Sequence, residues 1–333
     1  MTTIEIHFLG GTIGYAGARD GEAVRLGGDA LLAGVPGLDR LAVTLDVRAA
    51  AAPVPSASLT FDQLTRLAQE ARWSCEAGTA DAVVVVQGTD TLEESAYLLD
   101  LLWDRPEPVV LTGAMRNPTL AGADGPANLL AAVSVAADPA FRDLGALVVL
   151  ADEVHSARWV RKVHTTRPHG FGSPDTGPLG VVIEGRPELL HRPASHRLTL
   201  RPTGPLTARV PVLTVGLDED SAVVGALAAV ADGLVVAALG GGHVPRPLAE
   251  PLGALAGELP VVLASRVGAG SILSSTYRSP GSETDLLGKG LLWSGFLGPA
   301  KARVLLIGAL ACSTDRVRLA ETFAQASSMR MPA

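Results

Sequence analysis

Two short segments, Gly10-Gly11-Thr12-Ile13-Gly14 and Gln87-Gly88-Thr89-Asp90-Thr91, each follow an apolar run, and Lys162 stands apart further along the chain. Together they supply hydroxyls, a carboxylate and an amine. Of 27 basic residues only Lys162, Lys289 and Lys301 are lysines, so the first 288 residues contain a single one. Arginine keeps its proton in a protein, whereas a partly buried lysine gives one up readily and can serve as a base. A hydroxyl beside such a base, with backbone amides near it, is the equipment of nucleophilic acyl transfer.

A glycine pair directly after a strand lets the chain turn sharply and approach a ligand, which puts Thr12 at the carboxyl end of a strand. An ordinary tight turn with a satisfied threonine has the same sequence. The first segment does not have the G-x-G-x-x-G spacing of a dinucleotide site, and Asp46 falls too far along to hold a ribose. In the second segment Thr91 and Glu94 have capping-box spacing, which assigns them to the start of a helix. Thr89 and Asp90 then lie just ahead of a helix amino end, where amides and the dipole favour developing negative charge. Asp90 is free to orient an amine or hold Lys162, or only to help the cap.

These residues need a scaffold, and the apolar pattern provides one. A first strand, Ile4 to Leu9, is followed by strands at 82–86, 109–111 and 147–150, with helices near 92–102 and 124–136 between them. This is the βαβ pattern of a mostly parallel sheet covered on both faces. From Leu190 onward His191-Arg192-Pro193, Arg201-Pro202 and Gly204-Pro205 break the period. Alternation then resumes with strands at 212–215, 234–239 and 261–264 and helices near 220–231, 302–311 and 315–326. The expected organisation is an α/β fold with an N-terminal domain at 1–189 carrying Thr12, a linker at 190–209 and a smaller C-terminal α/β domain at 210–333. In that second domain Gly240-Gly241-Gly242-His243 repeats the strand-to-glycine turn, with His243 either a site residue or a turn residue.

The 333 residues are 47% hydrophobic and 18% charged, enough to bury a core in each domain. A net charge of -7 offers no basic face for nucleic acid, and no apolar run is long enough to span a bilayer. The first strand starts too close to Met1 to leave room for a signal peptide, so a cytoplasmic protein acting on a small molecule is expected. Cys75 and Cys312 are too few and too far apart for a disulfide framework or a zinc site. His164 and His169 have no metal-ligand spacing, and the chemistry requires no metal or cofactor.

With Gly10-Gly11-Thr12-Ile13 and Gly88-Thr89-Asp90-Thr91 at strand ends, the chain resembles the bacterial-type L-asparaginases, which are threonine amidohydrolases. The resemblance continues through Gly113-Ala114-Met115, Ala123-Asp124-Gly125-Pro126-Ala127-Asn128-Leu129, Lys162, Ser265-Arg266-Val267 and Lys301-Ala302-Arg303-Val304-Leu305-Leu306. It implies an asparaginase-like two-domain fold and hydrolysis of the asparagine side-chain amide through an acyl-threonine. On this likeness Thr12 is the primary nucleophile, and Thr89, Asp90 and Lys162 are the second hydroxyl, the carboxylate and the lysine. Asp90 also takes the substrate ammonium group. Ser56 matches a contact to its carboxylate, Ala114 lines the pocket with backbone, and Gly11 and Gly88 supply amide-rich turns. The resemblance further implies a homodimer or homotetramer in which a neighbour's second domain completes the site.

The departures from the family are specific. Ala57 follows Ser56 where a glutamine or acidic residue is usual, and Gly17 to Ala30 contains no tyrosine to activate the nucleophile. Tyr15 is the nearby substitute. His243 stands where the family often has asparagine or serine, and Tyr277 or Glu283 is placed to supply the neighbour's contribution. Two other functions follow from the same residues: hydrolysis of a larger or modified amide, and a low-turnover amino-acid-binding protein on the same fold.

Overall fold

The computed structural model describes residues 1–19, 22–49, 54–193 and 197–327. Asp20 and Gly21, within the Gly17 to Ala30 segment that contains no tyrosine, and Pro53, at the start of the run that ends in Ser56, lie outside them. The chain divides into two compact units, Met1–Pro193 and Ala194–Ala333.

In the first unit β1 (Thr2–Phe8) leaves through the glycine turn into an antiparallel pair, β2 (Tyr15–Arg19) and β3 (Glu22–Arg25). A short helix α1 (Gly28–Ala33) leads back to β4 (Val43–Ala49), parallel to β1. Then α2 (Phe61–Glu76), β5 (Ala82–Val86), α3 (Leu92–Leu102), β6 (Val109–Thr112), α4 (Gly125–Ala137) and β7 (Ala146–Leu150) alternate. All five residues of β5 are buried, as a parallel strand covered on both faces requires. Along β1 the pleat sends Ile4, Ile6 and Phe8 into one apolar cluster with Leu129, Ala132 and Val133 of α4, while Glu5 and His7 face the other way. Leu129→Ala would remove a fully packed side chain at a cost of about 2–5 kcal/mol.

After β7 the chain reverses into β8 (Glu153–Ser156), forms a small separate pair, β9 (Arg161–Lys162) with β10 (Phe171–Gly172), and closes with β11 (Gly180–Ile183) and β12 (Arg186–Leu189). Among the described residues the main sheet has the order β12-β11-β8-β7-β6-β5-β1-β4. The direction of strand addition reverses between β1 and β5, since β4 lies on one side of β1 and β5, β6 and β7 on the other. A crevice at the carboxyl ends of the strands opens at such a reversal.

The second unit is a parallel sheet, β13 (Val212–Thr214), β14 (Leu234–Ala238), β15 (Val261–Ser265) and β16 (Leu292–Trp293), in that order among the described residues. Its helices are α5 (Ala222–Ala228), α6 (Arg246–Glu258), α7 (Glu283–Gly288), α8 (Pro299–Cys312) and α9 (Arg316–Ser327). Leu248, Leu252 and Leu255 on one face of α6 pack with Val236 and Leu263 of the sheet. The expected helix near 220–231 is shorter: it begins after Asp220, whose carboxylate accepts the Ala222 N–H, and only Ala222–Ala228 is helical. The described part of 190–211 contains no helix or strand.

One expectation fails. Thr91 does occupy the N-cap of α3, but its hydroxyl makes no cap bond and donates instead to the Ser56 carbonyl oxygen at 2.9 Å. A capping box exists one helix earlier, where the Gln63 N–H donates to Thr60 Oγ1 and the Thr60 N–H to Gln63 Oε1, at 3.2 and 3.0 Å. Spacing alone misassigned Thr91 because a tertiary acceptor competes for its hydroxyl.

Candidate active site

The carboxyl ends of β1, β5 and β6 converge on one place. Gly10 and Gly11 have φ of 108° and 101°, which only glycine adopts without strain. This turn presses against the second one: a Cβ added at Gly11 would lie 2.2 Å from the Gly88 nitrogen, and one at Gly88 would lie 2.6 Å from Ser56 Oγ. The two threonine segments are therefore in backbone contact, with Ser56 wedged beside them.

Thr12 opens a single 3-10 turn and is half-buried. Its carbonyl accepts the Tyr15 N–H, and its hydroxyl has no hydrogen-bond partner among the described residues. The backbone N–H groups of Thr12 and Thr89 likewise donate to no protein acceptor among the described residues. Backbone donors without a protein acceptor, one on half-buried Thr12 and one on buried Thr89, are the kind a ligand oxygen can take up. The Tyr15 phenol is not hydrogen-bonded to Thr12.

Thr89 is buried and receives the Lys162 ammonium at 2.9 Å, while the same Nζ donates to Asp90 Oδ1 at 3.1 Å. The Lys162 side chain is 21% exposed and the Asp90 side chain 67%, so lysine and threonine are set back while the carboxylate faces solvent. The Asp90 N–H donates to Ser56 Oγ at 3.2 Å, which leaves the Ser56 proton free to point elsewhere. Behind this layer Gln87 Nε2 donates to Ser95 Oγ at 3.1 Å.

Gly113-Ala114-Met115 follows β6, with Ala114 buried. Asp124 ties this segment down, accepting the Met115 and Arg116 N–H groups at 3.0 and 2.8 Å. Asn128 donates to the Gly113 carbonyl at 3.0 Å and accepts the Ala151 N–H at 2.9 Å. Half-buried Asp124 and buried Asn128 were legible as part of a motif, and their bonds show what the motif does: it fixes the backbone around Ala114.

Gly11, Thr12, Ser56, Gly88, Thr89, Asp90, Ala114 and Lys162 thus all belong to one region of the first unit. His243, Tyr277 and Glu283 belong to the second and form a cluster there. The His243 and Tyr277 rings meet edge to face with centroids 4.9 Å apart, and His243 Nε2 lies 3.5 Å from Glu283 Oε2. Glu283 is fully buried, and its Oε1 accepts the Thr276 and Tyr277 N–H groups at 2.8 and 2.7 Å. Burial pushes its carboxyl up, but these backbone donors and the His243 charge outweigh it and hold the group below the ordinary carboxylate value. Among the described residues no three His, Cys, Asp or Glu side chains are grouped as a metal site requires.

Family models match nearly the whole chain: "Asparaginase, N-terminal" over residues 3–195, and "Glutaminase/Asparaginase C-terminal domain" over residues 209–323. The chain belongs to the asparaginase family. It is 41% identical over 254 residues to a probable L-asparaginase of Deinococcus radiodurans, covering 75% of this chain and 77% of that protein. It is 31% identical over 337 residues to a glutaminase-asparaginase of Pseudomonas fluorescens biotype A, covering 97% and 90%. A crystal structure of the probable cytoplasmic L-asparaginase from Campylobacter jejuni superposes with a TM-score of 0.84 at 30% identity, covering 97% of this chain and 99% of that one. The large mostly parallel sheet and the smaller parallel sheet are those of a two-domain asparaginase.

Proposed function

We propose that this protein is an amidohydrolase that converts L-asparagine to L-aspartate and ammonia, with Thr12 as the nucleophile. The observation that supports this reading is the backbone contact between Gly11 and Gly88, the glycines just ahead of Thr12 and Thr89, together with the Lys162 Nζ bonds to Thr89 and Asp90. In the first step Thr12 Oγ forms a bond to the side-chain carbonyl carbon. Its proton passes by way of Thr89 and Lys162 toward the amide nitrogen, the C–N bond breaks, and ammonia leaves. Water then attacks the acyl-threonine, the C–O bond to Thr12 breaks, and aspartate departs with the Thr12 proton restored. The Thr12 and Thr89 N–H groups are the donors for the oxyanion of each step. Asp90, facing solvent, takes the substrate ammonium, and the free Ser56 proton takes its carboxylate. Ala114 and the glycine turns line the rest.

Tyr15, or Tyr277 of a neighbouring copy, supplies the activating phenol in this reading, and His243 and Glu283 complete the neighbour's share. It therefore requires a homodimer or homotetramer. It places residues 190–209 as the linker and the enzyme in the cytoplasm. No helix among the described residues is long and apolar enough to cross a membrane. Ala57 after Ser56, which removes one substrate contact, and the absence of a tyrosine from Gly17 to Ala30 favour a second reading in which a larger or modified amide is accepted.

The test is ammonia release from asparagine, glutamine and N-substituted amides by the parent and by Thr12→Ala. Turnover of asparagine that falls by several orders of magnitude in the variant supports the proposal. Near-parental turnover in Thr12→Ala rejects the nucleophile. Stabilisation of the parent by aspartate with no turnover of any amide rejects the enzyme and leaves a binding protein.

A further inference from the structure

Lys162 is held at two points, and only one of them is its amine. The pair β9–β10 is two residues deep and forms a sheet separate from the main one. Hydrogen bonds inside the hairpin run from the Val163 and His164 N–H groups to the Gly170 carbonyl, at 2.8 and 3.2 Å. Successive N–H groups of a strand point to opposite sides, so the Lys162 N–H faces away from β10 as an edge donor. It donates to Glu93 Oε2 at 2.5 Å. Glu93 lies in the first turn of α3, immediately after the segment whose Thr89 and Asp90 receive the Lys162 amine. The stretch Thr89–Glu93 therefore grips both ends of one residue. The 2.5 Å bond thus ties the Lys162 backbone to the same segment that accepts its amine at 2.9 Å.

We infer that Glu93 is a positioning residue, which clamps the Lys162 backbone to α3 so that the amine reaches Thr89 and Asp90. The inference rests on the amide-hydrolysis reading for its catalytic consequence but not for its geometry. A carboxylate in a first helical turn also has a plain structural use, since it complements the dipole. The two roles separate by substitution. Glu93→Gln discards the charge and keeps an acceptor oxygen at the same reach, whereas Glu93→Asp keeps the charge and withdraws the oxygen by one methylene.

The experiment uses full-length protein labelled with 13C at lysine Cε, in which three lysines give three resonances. For a positioning role, Glu93→Gln retains the parental Lys162 resonance and kcat within about threefold. Glu93→Asp moves that resonance and lowers kcat by about tenfold or more, with KM changed less than kcat and Tm near the parent's. A Glu93→Asp protein with parental resonance and kcat, or a Glu93→Gln protein as impaired as Glu93→Asp, overturns the inference. If the parent hydrolyses no amide, the functional reading fails by itself, and the resonances of the two variants still decide whether Glu93 places Lys162.

Discussion

Gly11 and Gly88 touch through their backbones: a side-chain carbon on Gly11 would sit 2.2 Å from the Gly88 nitrogen and 2.3 Å from its Cα. No rotamer change relieves such an overlap, because both partners are main chain. With φ of 101° at Gly11 the substitution is also conformationally strained. Gly11→Ala is expected to push the two threonine segments apart, lowering kcat/KM by about 100-fold or more and Tm by several degrees. Ammonia release and a thermal melt on the purified variant measure both, and a Gly11→Ala enzyme with parental kinetics would show that the contact is dispensable.

Lys162 donates to Thr89 and Asp90 from a single nitrogen, and its role divides cleanly between proton carrier and charge. Lys162→Arg keeps the charge but holds its proton at neutral pH, and Lys162→Met discards both. If proton transfer is the role, both variants lose about a hundredfold or more in single-turnover acylation, to similar extents. An Arg variant that keeps much of the activity lost in the Met variant assigns Lys162 to holding Asp90 alone.

On the face of β1 away from α4, Glu5 and His7 are buried together with Nε2 and Oε1 2.5 Å apart. Burial pushes the Glu5 carboxyl up, but hydrogen bonds from His7 and Ser74 and the charges of His7 and Arg48 outweigh it, leaving it below the ordinary value. A carboxylate depressed on folding adds stability above its unfolded pKa, and that stability disappears as pH falls through the folded value. Glu5→Gln is therefore less stable than the parent near pH 7, with the difference shrinking below about pH 4.5. Urea midpoints across pH 3.5 to 7 test this; parallel curves for the two proteins would remove Glu5 from the acid response.

The Cys75 thiol on α2 is pushed up to about 12 by burial, with the charge of Glu107 adding to it. Thiolate is the reactive form, so Cys75 should resist iodoacetamide at pH 8 in the folded protein and label fully in urea. Half-buried Cys312 is expected to label faster than Cys75 in the native state. Peptide mass spectrometry after timed labelling distinguishes the two, and equal native rates would contradict the burial assigned to α2.

The strands were the most legible part of the chain. The run Ala82-Val83-Val84-Val85-Val86 has one physical solution, a strand covered on both faces, and α3 occupies the expected Leu92–Leu102. Thr12, Thr89, Asp90 and Lys162 were found by residue type and rarity, and the last three are now seen bonded together. The antiparallel strands β8, β11 and β12 were not anticipated, because each is only four residues long and two of them carry Glu153, Arg186 and Glu188. The Thr91 hydroxyl and the Glu93 carboxylate were beyond reach for a different reason. Their partners, the Ser56 carbonyl and the Lys162 N–H, lie 35 and 69 residues away, and backbone groups have no sequence identity to read.

Those spans bear on how the protein reaches its working state. Helices and hairpins draw on neighbours a few residues apart and form early, whereas Lys162 meets Thr89 across 73 residues and Ser56 meets Asp90 across 34. Each such closure costs chain entropy that local structure has not already met. Ellipticity will therefore return before turnover in a refolding experiment, and the concentration-independent part of the interval between the two traces is the time the first unit takes to bring its distant segments into register.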